Sequence, residues 1–197
     1  PTRRRNGFGC YGRGQHGAGR NGGVSLSMTQ PARQLGELLQ GMATPDAVSA
    51  SAIITNLTLD SRTASAGSLF FGIPGGKTDG RQFVGQALRS GAAAALVEGR
   101  GWTESESKQN CYPIDDLRAR IGHIASRFFG SPSHALCVVG VTGTNGKTTC
   151  ATLLAQALDL LGRKSGLIGT TGWGLANDLQ SSGLTTPDAL TLQSRLA

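Results

Sequence analysis

Gly143-Thr144-Asn145-Gly146-Lys147-Thr148-Thr149 is the stretch whose residue types and spacing speak most directly of chemistry. Two glycines let the backbone turn tightly, so that successive N–H groups face inward as an anion cradle. A helix starting at the end of the loop adds its dipole and free N–H groups. Lys147 supplies a full positive charge for the β and γ phosphates of a nucleotide, and Thr148 a hydroxyl for Mg2+. The loop departs from the common G-x-x-x-x-G-K-[ST] spacing at one place, where Val141 stands in the position of the first glycine.

Such a loop works only between a strand and a helix, and the flanking sequence predicts both. Residues 135–141 are apolar throughout, as in a central parallel strand buried on both faces. After the loop, Leu153, Leu154, Ala157, Leu158 and Leu161 share one face of a helix that Gly162 ends. Leu167-Ile168 begins the next strand. The loop therefore lies at the carboxyl end of a strand in a β–loop–α–β unit, where open α/β sheets bind ligands.

A second group of candidates lies upstream. Residues 53–59 alternate as a half-exposed strand and end in Asp60-Ser61-Arg62. Asp60 and Arg62 are either a local pair holding that turn or ligand contacts. Leu69 to Ile73 forms another strand, running into the turn-forming loop Pro74-Gly75-Gly76-Lys77-Thr78-Asp79-Gly80. Around these, Leu35, Leu38 and Leu39 mark one helical face stopped by Gly41, and Phe83, Val84, Ala87 and Leu88 mark another closed by Gly91. Residues 92–97 are a buried strand, and 99–112 are polar and irregular. Asp115 or Asp116 can cap a helix with the stripe Leu117, Ile121, Ile124 and Phe128. Gly130-Ser131-Pro132-Ser133 is a linker. The expected organisation is residues 28–130 as one domain and 131–197 as the beginning of a second. No internal repeat is visible.

The 197 residues carry a formal charge of +7. Residues 1–27 hold five of the 19 basic residues (Arg3, Arg4, Arg5, Arg13 and Arg20) and no acid. The remaining 14 basic residues face 12 acids, a balance of +2. The folded part is nearly neutral, which gives no case for a nucleic-acid surface there. With eight glycines and almost no aliphatic residue before Val24, residues 1–27 cannot bury enough surface to offset their ordering entropy. The segment is expected to be a disordered, non-native tail, since Met28 opens a helix-like sequence. The competing reading is an Arg/Gly-rich RNA-binding tail.

The basic start lacks an apolar secretory core, and no apolar run approaches the ~18–20 residues that span a bilayer. Cys10, Cys111, Cys137 and Cys150 form no CxxC pair, and His16, His123 and His134 are scattered. Isolated thiols in a reducing compartment are expected, with no disulfide or metal site among them.

The stretch Gly140 to Thr149 resembles the ATP loop of the Mur ligases and their folylpolyglutamate synthetase relatives, a family with this shorter loop. Leu59-Asp60-Ser61-Arg62, Gly67-Ser68-Leu69-Phe70, Gly75 through Gly80, and Gly91-Ala92 resemble the uridine-binding domain of the MurE and MurF types. Leu167-Ile168-Gly169-Thr170 with Leu184-Thr185-Thr186-Pro187-Asp188 resembles the MurE type in particular. The resemblance covers residues 28–197.

It implies a fold: a small mixed α/β uridine-nucleotide-binding domain, then the start of a phosphate-loop-containing parallel α/β central domain. It implies an activity of peptidoglycan precursor synthesis, and so of cell-wall biogenesis, cell shape and division. ATP phosphorylates the D-glutamate γ-carboxylate of UDP-N-acetylmuramoyl-L-alanyl-D-glutamate. A diamino acid (diaminopimelate or L-lysine) then attacks the acyl phosphate, phosphate leaves and an amide forms. Gly143, Thr144, Asn145, Gly146, Lys147, Thr148 and Thr149 would bind ATP, with Lys147 catalytic and Thr148 on Mg2+. Leu59, Ser61, Gly76, Lys77 and Thr78 would meet the uridine diphosphate, and Thr185 and Thr186 the muramoyl-peptide. A competing view of Thr185-Thr186-Pro187 is a plain helix start, with Thr186 as cap.

The implied protein is a cytoplasmic monomer with no nucleic-acid or membrane partner. The family's central domain continues beyond the helical pattern 189–196, so the chain is expected to bind without turnover. Residues 136–197 are expected to be less stable than 28–130. The alternatives are a MurF-type ligase and a non-catalytic UDP-sugar or nucleotide-binding fragment.

Overall fold

The computed structural model describes residues 31–76, 78–103, 109–176, 178–181 and 187–197. Its first part is built on four parallel strands in the order β3-β4-β5-β6. These are β3 (Asn56–Thr58), β4 (Ser68–Gly72), β5 (Ala94–Glu98) and β6 (Cys111–Ile114). β4 is buried along its whole length and β5 at all but its last residue, as strands covered on both faces must be. The two-residue alternation divides their side chains between two cores. Leu69, Phe71, Ala94 and Leu96 face helix α1 (Leu35–Leu39) and helix α4 (Leu117–Phe128). Phe70, Ala95 and Val97 face helix α3 (Val84–Arg89).

The stripes of α1 and α4 land where their spacing placed them. Leu35, Leu38 and Leu39 are buried, and so are Leu117, Ile121, Ile124 and Phe128. The strand expected over 53–59 is two strands. β2 (Ile53–Ile54) pairs antiparallel with β1 (Arg33–Gln34), whereas β3 pairs in parallel with β4. Thr55, between them, donates its N–H to the Gly67 carbonyl at 2.9 Å, so the chain changes partners without leaving that donor unpaired. A short helix α2 (Ala47–Ala50), capped by the Asp46 carboxylate, links α1 to β2.

Two expectations fail here. β6, which was not expected, begins in the last two residues of the stretch taken as irregular and runs on to Ile114. Its Pro113 has no N–H to give a ladder, and it is tolerated because β6 is the edge strand. Asp116 occupies the cap position of α4, but in the left-handed region (φ 55°) and without a capping side-chain bond. Its carboxylate pairs with Arg100 at 3.1 Å instead.

The second part begins after a 3-10 turn at Pro132–His134. No strand forms over 135–141, and Leu136, Val138, Val139 and Val141 are exposed, Val139 by 61%. A central strand exists only by hydrogen bonding to neighbours, and among the described residues none is offered to it. The helix expected next is present as α5 (Lys147–Leu160), but its expected face is not buried. Leu153, Leu154, Ala157 and Leu161 are exposed, and Ala155 is the buried residue, because no sheet forms beneath it over 135–141. It leads to a three-stranded antiparallel sheet of β7 (Gly166–Gly169), β8 (Gly172–Leu175) and β9 (Asp178–Gln180). Helix α6 (Ala189–Leu196) is capped by Asp188, whose carboxylate accepts from Leu190 N and Thr191 N at 2.9 Å. The cap expected from Thr186 falls outside the described residues. Leu190 is buried with the α4 stripe, so α6 packs on the first part. No helix among the described residues is long and apolar enough to cross a membrane.

Candidate functional site

The glycine loop sits at the N-terminus of α5 as expected, although the strand expected before it is not formed. Gly146 is the residue before the helix and takes φ 74°, and Gly143 takes φ 145°, conformations that a side chain would strain. No side chain caps α5, so its first N–H groups are not taken up by a capping bond. A Cβ added at Gly146 would meet nothing within 4 Å, so the cradle is open. Gly143, Thr144, Asn145, Gly146, Lys147, Thr148 and Thr149 are all exposed. Lys147 Nζ curls back over the loop and donates to the Gly143 carbonyl at 2.6 Å and the Thr144 carbonyl at 3.5 Å. The ammonium thus lies against the cradle, held by neutral carbonyls that an anion would outcompete. Thr148 Oγ1 lies 3.0 Å from Thr170 Oγ1, just past β7.

The upstream candidates gather at one end of the parallel sheet. β3 and β4 are adjacent and parallel, so the segments leaving their carboxyl ends emerge side by side. Leu59 is half-buried against the first core. Ser61 is 6% exposed and its hydroxyl donates to Gln86 Oε1 at 3.3 Å, on α3. Asp60 and Arg62 form the local pair: the guanidinium meets the carboxylate at 2.6 Å, and Asp60 also accepts from Arg62 N at 2.9 Å. Hydrogen bonding from the Arg62 guanidinium holds the Asp60 carboxyl down at about 2.

The loop after β4 repeats this device. Asp79 accepts from Arg81 N at 2.9 Å and pairs with its guanidinium at 2.6 Å, which lowers the Asp79 carboxyl below its ordinary value. Gly76 and Thr78 are exposed between these anchors. Lys77, Thr185 and Thr186 lie outside the described residues. His123 and His134 are exposed. Among the described residues, no three His, Cys, Asp or Glu side chains form a metal cluster.

Gln86, Arg81 and Thr170 were not marked by their sequence surroundings as site residues. Arg81 had a signal, since Asp79-Gly80-Arg81 repeats the Asp-x-Arg of residues 60–62. Thr170 stood in the Leu167–Thr170 resemblance without a role, and Gln86 had no signal; they meet their partners across 22 and 25 residues respectively.

A parallel sheet with loops gathered at its carboxyl edge, followed by a glycine loop on a helix N-terminus, defines a mixed α/β protein. Comparisons with known proteins say which one. Residues 53–129 match the family model described as "Mur ligase family, catalytic domain", and residues 141–197 match that of the "Mur ligase middle domain". The chain belongs to the Mur ligase family.

A Pseudomonas putida protein named UDP-N-acetylmuramoyl-L-alanyl-D-glutamate--2,6-diaminopimelate ligase is 50% identical over 145 residues, 73% of this chain and 29% of that protein. Proteins of the same name from Coxiella burnetii and Xanthomonas oryzae are 41% and 43% identical. They are matched over 77% and 83% of this chain, and 31% and 32% of their own lengths. A solved structure of a ligase with that name superposes with a TM-score of 0.65 at 30% identity, covering 84% of this chain and 33% of the other. The chain thus spans about 30% of the length of the curated relatives it matches.

Proposed function

We propose that this chain carries the UDP-substrate and ATP-loop segments of an ATP-dependent amide ligase, one that adds a diamino acid to UDP-N-acetylmuramoyl-L-alanyl-D-glutamate. The carrying observation is the pairing, in one chain and in family order, of the β3/β4 carboxyl-end loops with the glycine loop on α5. Residues 28–130 form the substrate-binding domain and 131–197 the beginning of the ATP-binding one.

Lys147 and the free N–H groups of the loop and the first turn of α5 bind the β and γ phosphates, with Gly143, Thr144, Asn145, Gly146, Thr148 and Thr149 shaping the cradle. ATP is consumed as a substrate. A carboxylate is a poor acyl donor, and its phosphorylation creates the leaving group that the incoming amine displaces. Lys147 contributes charge neutralisation at the transferring phosphoryl group. Mg2+ takes phosphate and water oxygens with only one or two protein ligands. The Thr148 hydroxyl beside Thr170 fits that modest demand, and the ion would supply further neutralisation there.

Leu59 and Ser61, with Gly76, Lys77 and Thr78, hold the uridine diphosphate, and Thr185 and Thr186 the muramoyl-peptide. The protein works as a cytoplasmic monomer without nucleic-acid or membrane partners. The test is calorimetric titration of UDP-N-acetylmuramoyl-L-alanyl-D-glutamate into the chain and its Ser61→Ala variant. Binding that weakens about tenfold in the variant, the worth of one good hydrogen bond, supports the reading. A parent chain that melts cooperatively yet binds nothing overturns it.

A further inference from the structure

The loop between β4 and α3 is fixed far more firmly than its glycines suggest. Pro74 and Asp79 form an isolated antiparallel bridge, the Gly75 N–H donates to the Thr78 carbonyl at 3.0 Å, and the Gly80 N–H donates to the Ile73 carbonyl at 3.0 Å. A Cβ at Gly75 would lie 2.8 Å from the Thr78 carbonyl, and one at Gly80 would lie 2.7 Å from that of Ile73. The loop is therefore closed on itself as tightly as backbone allows. Its Asp79 end is held by Arg81, which also donates to the Arg100 carbonyl at 2.9 Å. Its Pro74 end is held from elsewhere: the Arg118 guanidinium, in the first turn of α4, donates to the Pro74 carbonyl across 44 residues.

The geometry points to Arg118 as a positioning residue for this loop, setting where Gly75, Gly76 and Thr78 stand and so how tightly a uridine diphosphate is held. The inference rests on the uridine reading given above. Arg118 acts by direction rather than by charge alone. Its guanidinium is spent on a backbone carbonyl immediately before Gly75-Gly76, and a rigid fork fixes that carbonyl's orientation better than a mobile ammonium does. α4 is a sound platform for it. Its stripe is buried in the first core, and at its far end Arg127 Nη1 donates to the Leu38 and Gln40 carbonyls at 2.9 and 2.8 Å. Both ends of α4 thus hold neighbouring backbone through arginine–carbonyl bonds, the far end at the C-terminus of α1 and the end nearer the sheet's carboxyl edge at the loop leaving β4.

The experiment is a titration of UDP into the 197-residue chain and its Arg118→Ala, Arg118→Lys and Arg120→Ala variants, with amide exchange at Gly75 and Gly80 followed in each. Arg120 is on the same helix, and its guanidinium donates to the Asp115 carbonyl instead, so its loss controls for charge. Arg118→Ala is expected to weaken UDP about tenfold, as for a lost hydrogen bond to a charged group, and to speed exchange at both glycines. Arg118→Lys keeps the charge but not the fork and should recover only a minor part of the affinity, and Arg120→Ala should stay within about twofold of the parent. Equal weakening by Arg118→Ala and Arg120→Ala would make the effect one of field, and overturn positioning. So would unchanged UDP affinity or unchanged glycine exchange in Arg118→Ala while the parent binds. A parent that binds no UDP overturns the uridine reading itself, and the ligand role of Arg118 with it.

Discussion

Leu96 and Leu153 are the same residue in opposite circumstances, and the difference can be measured. Leu96, at the centre of β5, is 0% exposed and packs in the core under α1 and α4. Leu153, on α5, is 60% exposed. Truncating a fully buried leucine to alanine removes its transfer free energy and leaves a cavity, together about 2–5 kcal/mol. Truncating one that water already reaches costs within about 0.5 kcal/mol. With an m value of about 1.5 kcal/mol/M in urea, a 3 kcal/mol loss lowers the unfolding midpoint by about 2 M, and the exposed site moves it by no more than about 0.3 M. The two tryptophans make the assay local. Trp102 packs against the core under α3, and Trp173 sits on β8. In a Trp173→Phe background, fluorescence follows the first part alone. Leu96→Ala should shift that transition and Leu153→Ala should not. Equal shifts would refute the division of the chain into a packed parallel sheet and a loosely covered α5.

Lys147→Ala should weaken ADP by about tenfold or more, because the phosphate loses a charge-assisted donor. The melting temperature should stay put, since Lys147 bonds only its own exposed loop. The Asp60 carboxyl should titrate near 2 by carbon-detected NMR, and return toward 3.8 in Arg62→Gln. Its folded value is depressed, so its contribution to stability is complete above about pH 4 and is lost as pH falls toward 2. Thermolysin should cut first within residues 135–141, where Val138 and Val139 are exposed and unpaired, and leave the parallel sheet as the resistant core.

Periodicity revealed α1 and α4 because burial and spacing coincide in them, whereas in α5 the spacing gave the helix but not a buried face. Leu35, Leu38 and Leu39, and the stripe from Leu117 to Phe128, face the sheet that their spacing demands. The glycine loop was legible for a similar reason: its chemistry is carried by seven consecutive residues. What stayed hidden depended on partners distant in sequence. Nothing around Cys111–Ile114 alternates cleanly, and Pro113 argues against a strand until the strand is known to be an edge. Nothing around Gln86 shows that Ser61 will meet it. Residues 135–141 failed in the reverse sense. Their apolar run is a sound strand pattern, but a pattern states what a segment would bury, and a strand forms only where another backbone stands beside it.

The two Asp-x-Arg turns show how weak interactions can still shape a site. Asp60–Arg62 and Asp79–Arg81 stand in the segments leaving β3 and β4, each opening a 3-10 turn. Arg62 is mostly exposed, so its pair adds little to global stability. The geometry is what matters. In each turn the carboxylate takes both the backbone N–H and the guanidinium of the arginine two residues on, closing a short ring that admits few other conformations. In the first turn that ring encloses Ser61 and turns it inward, where its hydroxyl meets Gln86. In the second it fixes the end of the Gly75–Thr78 loop. β3 and β4 are neighbours in register, so the two rings stiffen adjacent segments at the same end of the sheet. Stiffening both before a ligand arrives removes an ordering cost that binding would otherwise have to meet. That is reason enough for a sequence to place two short-range ion pairs beside the proposed site of glycine and serine.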